Sequence, residues 1–444
     1  MADAASIVAA EGQTISTDTS IAERTRQTVT RRLAPFLFLL YVLNYMDRVN
    51  ISYASLQMTG DLGFSNAVFG FGAGIFFIGY FLFQIPGTLL IEKWSARKVI
   101  GVSLIVWGAL ATLTGLISSA QQFYWIRFFL GTAEAAFFPG VIVYLTHWYR
   151  AQDRGKAVAR FMVAIPISNM IGAVIAAFLM RITWFGYPGW RWLLVLEGLP
   201  SVIAGIATFN YLTDRPKDAQ WLPDDQRRWL TTELAREQEA KKGGATQSPW
   251  KALRHPHVIL LSLVYFCYIT NSVGLSVWLP KIVQRISGLS TFQVTLISAI
   301  PWLAAVPAML ISAWHSDKTG ERRWHAALPI LLVGLALALS QWAGDNLVLA
   351  MIMFSLATMS LYAFPSPFWS LPTVFLSGTA AAASIALINS MGNLGGFVGP
   401  YVIGYLTDLT GAYAAGIYYL MASGILGGLI VMGLRTSRGP AANR

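Results

Sequence analysis

Charge is what this sequence has least of. Asp, Glu, Lys and Arg together make up 12% of its 444 residues, about half the share of an ordinary soluble chain. That shortage excludes a soluble enzyme or nucleic-acid-binding domain of this length. Cysteine is nearly missing as well. Cys267 stands alone, so no disulfide can form within the chain. The five histidines have no ligand-spaced partners, and no phosphate loop, nucleophile or flavin pattern occurs. No metal, no cofactor and no enzymatic activity are therefore expected. What is abundant is apolar: 55% of the residues are hydrophobic and 13% aromatic. Apolar stretches of about 20 residues recur, each able to cross a hydrocarbon core of about 30 Å. The chain reads as an all-α membrane protein.

Twelve spans are expected, at about 34–56, 69–91, 99–119, 123–147, 157–181 and 191–212, then 258–279, 291–314, 325–343, 346–371, 379–407 and 413–434. Lys and Arg collect in alternate loops, from Arg24 to Arg32, Lys93 to Lys98, Arg150 to Arg160, Arg215 to Arg254 and Lys318 to Arg323, and after Leu434. The opposite loops hold only Arg181, Arg191, Lys281 and Arg285. By the positive-inside rule both termini are cytoplasmic. The net charge of +11 is thus a topology signal and implies no nucleic acid. Met1 to Ser20 lacks the basic start of a signal peptide and reads as a disordered polar tail. The expected organisation is a tail over 1–33, a six-helix half over 34–212, a cytoplasmic linker over 213–257 with a short surface helix, a second half over 258–434, and a tail over 435–444.

The two halves echo each other. "EKWSARK" (Glu92 to Lys98) follows the second span and "DKTGERR" (Asp317 to Arg323) follows the eighth. Six-span repeats around a central site are how many secondary transporters build alternating access. This paired loop, with Glu92, Lys93 and Arg97 in one copy and Asp317, Lys318 and Arg322 in the other, resembles the signature of the major facilitator superfamily. The resemblance implies that Glu92 and Asp317 cap neighbouring helices and steady the outward-open state. Ser95 stands where the family commonly has Gly.

Few ionisable groups lie inside spans: Asp47, Arg48, Arg127, Glu134 and Glu197. A charge at mid-bilayer costs at least about 2.5–3.5 kcal/mol, so such groups face a cavity or a partner. Arg127 and Glu134 are two helical turns apart on one face of span 4, with Gly131 between them. Asp47 and Arg48 in "YVLNYMDRVNIS" fall at a similar depth in span 1, and neighbouring residues point about 100° apart, so each can serve a different partner. A guanidinium grips a carboxylate with two parallel hydrogen bonds. Partial dehydration disfavours the charged form of a carboxylate. Together these groups suit coupled movement of a proton and an organic anion. A static pair of salt bridges between spans 1 and 4 is the structural alternative. Glu197 is expected to pair with Arg191, two turns earlier.

The span-1 stretch, "RFFLGTAEAAFFPG" in span 4 and "WYRAQDRGKA" after it resemble the anion:cation symporter branch of that superfamily, which includes galactonate, tartrate and hydroxyphenylacetate permeases. The resemblance implies that Asp47 and Glu134 carry protons, that Arg127 links protonation to substrate, that Arg48 seats the substrate carboxylate, and that Tyr45 and Tyr80 line the cavity. In the second half Pro365, Pro367 and Pro372 interrupt span 10. Trp369, Asn389 and Asn393 are candidate ligand contacts with helix packing as the alternative, and Tyr268, Asn271 and Trp278 are weaker ones. The expected function is proton-coupled import of a hydroxylated sugar acid or a tartrate-like carboxylate, by a monomer in a bacterial inner membrane, with H+ as coupling ion. An anion/phosphate exchanger, an aromatic-acid permease and a membrane sensor are the alternatives.

Overall fold

The computed structural model describes residues 2–241, 255–375 and 378–434. Those residues fold as helices. In chain order they are α1 (Ala2–Asp61), α2 (Asn66–Lys93), α3 (Ala96–Thr114), α4 (Ala120–Glu134), α5 (Phe137–Thr146), α6 (Ala151–Met162), α7 (Ala164–Leu179), α8 (Gly189–Tyr211) and α9 (Asp224–Lys241). The series continues with α10 (Pro256–Ser287), α11 (Thr291–Ile297), α12 (Ile300–Thr319), α13 (Arg323–Ser340), α14 (Leu347–Ala363), α15 (Pro365–Phe375), α16 (Gly378–Thr410) and α17 (Ala414–Gly433). Nine helical stretches among the described residues are long and apolar enough to cross a membrane. The fold has twelve crossings, the other three made by α1, α6 with α7, and α16.

Proline places the breaks within crossings. It lacks an N–H and its ring clashes with the carbonyl four residues back. Pro139, Pro166, Pro301 and Pro367 reach back to Ala135, Met162, Ile297 and Ala363. Helices end at or next to each of these: α4 at Glu134, α6 at Met162, α11 at Ile297 and α14 at Ala363. The interruption expected in span 10 is present at Pro365 and Pro367, whereas Pro372 lies inside α15 and does not break it. Those in spans 4, 5 and 8 follow the same rule.

Two expectations are corrected here. Helix α1 begins at Ala2, so the segment expected to be a disordered tail continues the first crossing as helix. The linker helix α9 also does not lie free on the surface. Leu222 and Leu230 are buried, Trp221 stacks on Trp148 with ring centroids 5.1 Å apart, and Arg154 pairs with Glu237 at 3.1 Å. Residues 242–254 and 435–444 lie outside the described residues, as do Arg254, Arg435, Arg438 and Arg444 with them.

The halves meet most closely between α2 and α16. At Gly70 a Cβ would collide with the carbonyl of Pro400, and at Gly74 it would lie 2.7 Å from that of Phe397. These close approaches bring the backbones together at the end expected to face outward. There the Asp408 carboxylate of α16 accepts hydrogen bonds from the Asn66 and Ala67 amides at 3.1 and 2.7 Å, and from Asn66 Nδ2 at 2.8 Å. It thereby satisfies free amides at the start of α2 and complements that helix's positive end. Deeper in, Asn169 Nδ2 donates to Tyr362 Oη across the halves at 3.0 Å.

Candidate functional site

The buried charges of α1 separate as the helix geometry predicts. Asn44 and Arg48, one turn apart on one face, both reach across to Glu134. Asn44 Nδ2 donates to Glu134 Oε2 at 2.8 Å and Arg48 Nε donates to the same oxygen at 2.7 Å. Glu134 is fully buried, while the Arg48 side chain keeps 19% of its surface. The acid is sealed and its cation is partly exposed, and only Nε of the guanidinium's donors is used on Glu134. Glu134 ends α4, immediately before the break set by Pro139, which fixes the height at which its side chain enters.

Asp47 points elsewhere. Its Oδ2 accepts from Trp107 Nε1 of α3 at 3.0 Å and from Ser201 Oγ of α8 at 2.7 Å. Its Oδ1 has no hydrogen-bond partner among the described residues, and the residue is 1% exposed. Three of the four expected groups thus fall into two compartments. One is Glu134 with Arg48 and Asn44; the other is Asp47 with Trp107 and Ser201.

Arg127 has no carboxylate partner among the described ion pairs. Its one hydrogen bond is a long one, Nη2 to the Ala73 carbonyl at 3.5 Å, and its Nε has none. The guanidinium instead lies over the Phe76 ring, 4.9 Å from the centroid. Arg48 approaches the same ring at 5.5 Å, and the Tyr45 and Tyr80 rings at 5.3 and 5.0 Å. Two cations therefore flank one aromatic ring, with one carboxylate paired to one of them. Aromatic faces attract cations weakly, by about 0.5–2 kcal/mol, so the ring offsets little of the second cation's charge. Gly131 lets α4 sit against α2 here, because a Cβ at that position would collide with the Phe76 carbonyl.

The second half supplies an aromatic wall. Tyr265 stacks on Phe368 at 5.4 Å and meets Trp369 edge-on at 4.8 Å; Tyr268 stacks on Phe364 at 4.7 Å. Asn393 Nδ2 donates to Gln84 Oε1 of α2 at 3.4 Å, and Asn389 is partly buried on the same face of α16. Asn271 is fully buried and bonded to the Cys267 carbonyl at 3.0 Å, and Trp278 Nε1 bonds the Pro400 carbonyl at 3.0 Å. Both are packing residues rather than cavity residues.

The expected pairing of Glu197 with Arg191 does not form. Arg191 pairs with Asp61 at 3.5 Å and donates to the carbonyls of Gly115 and Ile117 at 3.1 and 2.9 Å. These carbonyls at the end of α3 and the start of the next loop lack helical partners, and they hold the guanidinium away from Glu197. In the paired loops, Asp317 pairs with Arg322 at 2.6 Å and is largely exposed, so it caps no neighbouring helix in this conformation. The Glu92 side chain lies outside what is described, whereas Lys93 is exposed at the end of α2. Lys318 lies 5.0 Å over the Trp314 ring. The 2–3 loop is tied by Asp214 instead, which accepts from Ser95 Oγ at 2.7 Å and the Arg97 amide at 2.9 Å. Glu321 caps α13, accepting from the Trp324 and His325 amides at 2.8 and 3.1 Å. Partial burial works against its charge, but these amides and the His325 ring hold its pKa below the ordinary value.

Sequence reasoning missed Asn44, Trp107, Ser201 and Phe76. Asn44 had a signal, its one-turn spacing from Arg48. The other three are ordinary residues of apolar spans.

Proteins of known kind match this arrangement over nearly its whole length. A "Putative tartrate transporter" of Agrobacterium vitis is 44% identical over 410 residues, covering 92% of this chain and 94% of that one. A quinolone resistance transporter of Acinetobacter baumannii is 39% identical over 395 residues, covering 89% and 91%. The inward open conformation of the xylose transporter of E. coli superposes with a TM-score of 0.73 at 14% identity, covering 92% and 97%. The model of the Major Facilitator Superfamily matches residues 37–400. With twelve crossings and that match across both halves, this multi-pass membrane protein belongs to the major facilitator superfamily.

Proposed function

We propose that the chain is a secondary transporter that carries a small organic acid anion into the cell together with protons, by alternating access of its two halves. The observation that carries this reading is the asymmetric Arg48–Glu134 pair, a sealed acid holding a partly exposed cation. While Glu134 is ionised, it competes with any incoming carboxylate for the Arg48 guanidinium. Protonation of Glu134 ends that competition, and Arg48 can then grip the substrate carboxylate. Arg127, which has no ion-pair partner among the described residues, adds positive charge beside Phe76. Release on the other side reverses both steps, so proton and anion travel as a unit.

A tartrate-like or hydroxylated sugar acid is the substrate class we favour. The 44% identical Agrobacterium vitis relative bears a tartrate transporter's name, two guanidiniums fit two carboxylates, and Asn389 and Asn393 suit hydroxyls. Closure of the outer ends by Asp408 supports an inward-facing conformation, the state expected after delivery. Glu134→Gln in proteoliposomes tests the coupling. The variant is expected to exchange labelled acid across the membrane but to lose accumulation driven by a pH gradient. Wild-type proton-driven accumulation by that variant would refute the proton role.

A further inference from the structure

One buried acid has no part in the reading so far. Glu197 lies on α8, 4% exposed, and among the described residues neither carboxylate oxygen meets a donor at hydrogen-bonding geometry. The polar group turned toward it is Asn50 of α1, whose Nδ2 also has no acceptor. Ser201 follows one turn later on the same face of α8 and gives its hydroxyl hydrogen to Asp47 Oδ2 at 2.7 Å. Asn50 lies three residues from Asp47 on α1, so one face of α1 and one face of α8 share two acids and two amphoteric side chains.

Order along the membrane follows from the helix ends. Trp190 Nε1 at the start of α8 bonds Asp61 Oδ2 at the end of α1, at 3.0 Å. Counting inward from that level at 1.5 Å per residue, Glu197 comes before Asn50, Ser201 and Asp47. Glu134 is reached on the far side of α1. The charged or titratable groups that act on Glu197 from α1 are Asp47 and the Tyr53 phenol. Helix α7 carries no titratable residue, and those of α3, Arg97 and Lys98, are at its distant start. Burial this deep works against the charged carboxylate, and the Asn50 amide is the polar group placed to offset it.

We propose that Glu197 is a third proton-exchanging group, which holds a proton outward of Asp47 and delivers it to Asp47 through the Ser201 hydroxyl. Ser201 gives its hydrogen to Asp47 Oδ2 and takes one from the Glu197 carboxyl, so one proton moves inward, Asp47 becomes neutral and Glu197 becomes the anion. The i, i+4 spacing places Glu197 and Ser201 about 6 Å apart at their Cβ atoms, a gap that rotation of the longer side chain closes. This deepens the proton-coupled reading above and rests on it for its use in transport.

Two readouts test it. Infrared titration of purified protein reports the carboxylic acid itself, without substrate. A protonated-carboxyl band that disappears as pH rises in the wild type and is missing from Glu197→Gln is expected; a Glu197 band unchanged across pH 5–9 would overturn the proposal. In proteoliposomes, Glu197→Gln and Ser201→Ala should each lower pH-gradient-driven uptake, by about 100-fold for loss of a proton-transfer group, with Glu197→Asp partly restored. Unaltered gradient-driven uptake by Glu197→Gln would overturn it too, since glutamine mimics only a permanently neutral acid. If the wild type itself shows no proton-driven uptake, the transport reading fails, whereas the infrared titration still decides whether Glu197 exchanges protons.

Discussion

At the scale of residues, the functional claim lies in how Arg48 divides its donors. Its Nε is committed to Glu134 at 2.7 Å, and the guanidinium lies over the Tyr45 and Tyr80 rings. Lysine would keep the charge but lose the second hydrogen bond and the planar fit over the rings. Arg48→Lys should therefore weaken substrate binding by about 10- to 100-fold, the equivalent of one charge-assisted hydrogen bond of about 1.5–3 kcal/mol. The change should appear in the half-saturating concentration of uptake, with the fold intact by thermal unfolding. An unchanged half-saturating concentration would move the anion's seat elsewhere, with Arg127 the next candidate. The acids and bases of this site were legible in the sequence because any charge inside an apolar run demands an explanation. Their partners were not. Trp107 and Ser201 carry no mark that separates a bonded indole or hydroxyl from an ordinary packing residue, and only the fold brings them to Asp47. Glu197 was misread for a related reason. Two-turn spacing from Arg191 made a pair plausible, but unsatisfied carbonyls at Gly115 and Ile117 hold the arginine.

At the scale of elements, proline and glycine set what the side chains can do. Pro139 ends α4 just after Glu134, and Gly131 lets that helix press against α2 so that Phe76 sits between the two guanidiniums. The colliding atom at Gly131 is backbone and cannot rotate aside. Gly131→Ala should push α4 and α2 apart and destabilise the protein by about 1–3 kcal/mol, the usual cost of overpacking. A matching fall in the thermal unfolding midpoint in detergent should accompany reduced transport. An unfolding midpoint at or above that of the parent would contradict the close approach. Spans were readable from length and hydropathy alone, and the proline rule gave span 10 its interruption. Spans 4, 5 and 8 carry prolines at their breaks too, but Pro86, Pro200 and Pro400 sit inside unbroken helices, so proline alone does not say which spans break.

At the scale of the whole molecule, the two halves are held at one end. Asp408 on α16 accepts three hydrogen bonds at the start of α2, and the packed rings of Phe71, Phe397 and Tyr401 lie beneath it. Asparagine there would lose the charge and turn donors toward donors. Loss of a cap costs about 0.5–2 kcal/mol, enough to shift the balance between outward- and inward-facing states by roughly 2- to 30-fold. A cysteine at Phe71, in a Cys267→Ser background, should then react faster with an impermeant maleimide added outside when Asp408→Asn is present. Equal rates would mean that the latch does not hold this end. The architecture of two halves was legible from the paired loops. The latch was not, because Asp408 and Asn66 are 342 residues apart and each reads as an ordinary loop-proximal polar residue.

Coupling between proton and anion is the central claim, and substrate-driven proton movement tests it most directly. Purified protein is reconstituted in proteoliposomes with no pH gradient, tartrate is added outside, and external pH is followed with a dye. The account predicts alkalinisation outside as tartrate enters, absent with Glu134→Gln. Entry of tartrate with no proton movement, or with acidification outside, would contradict it.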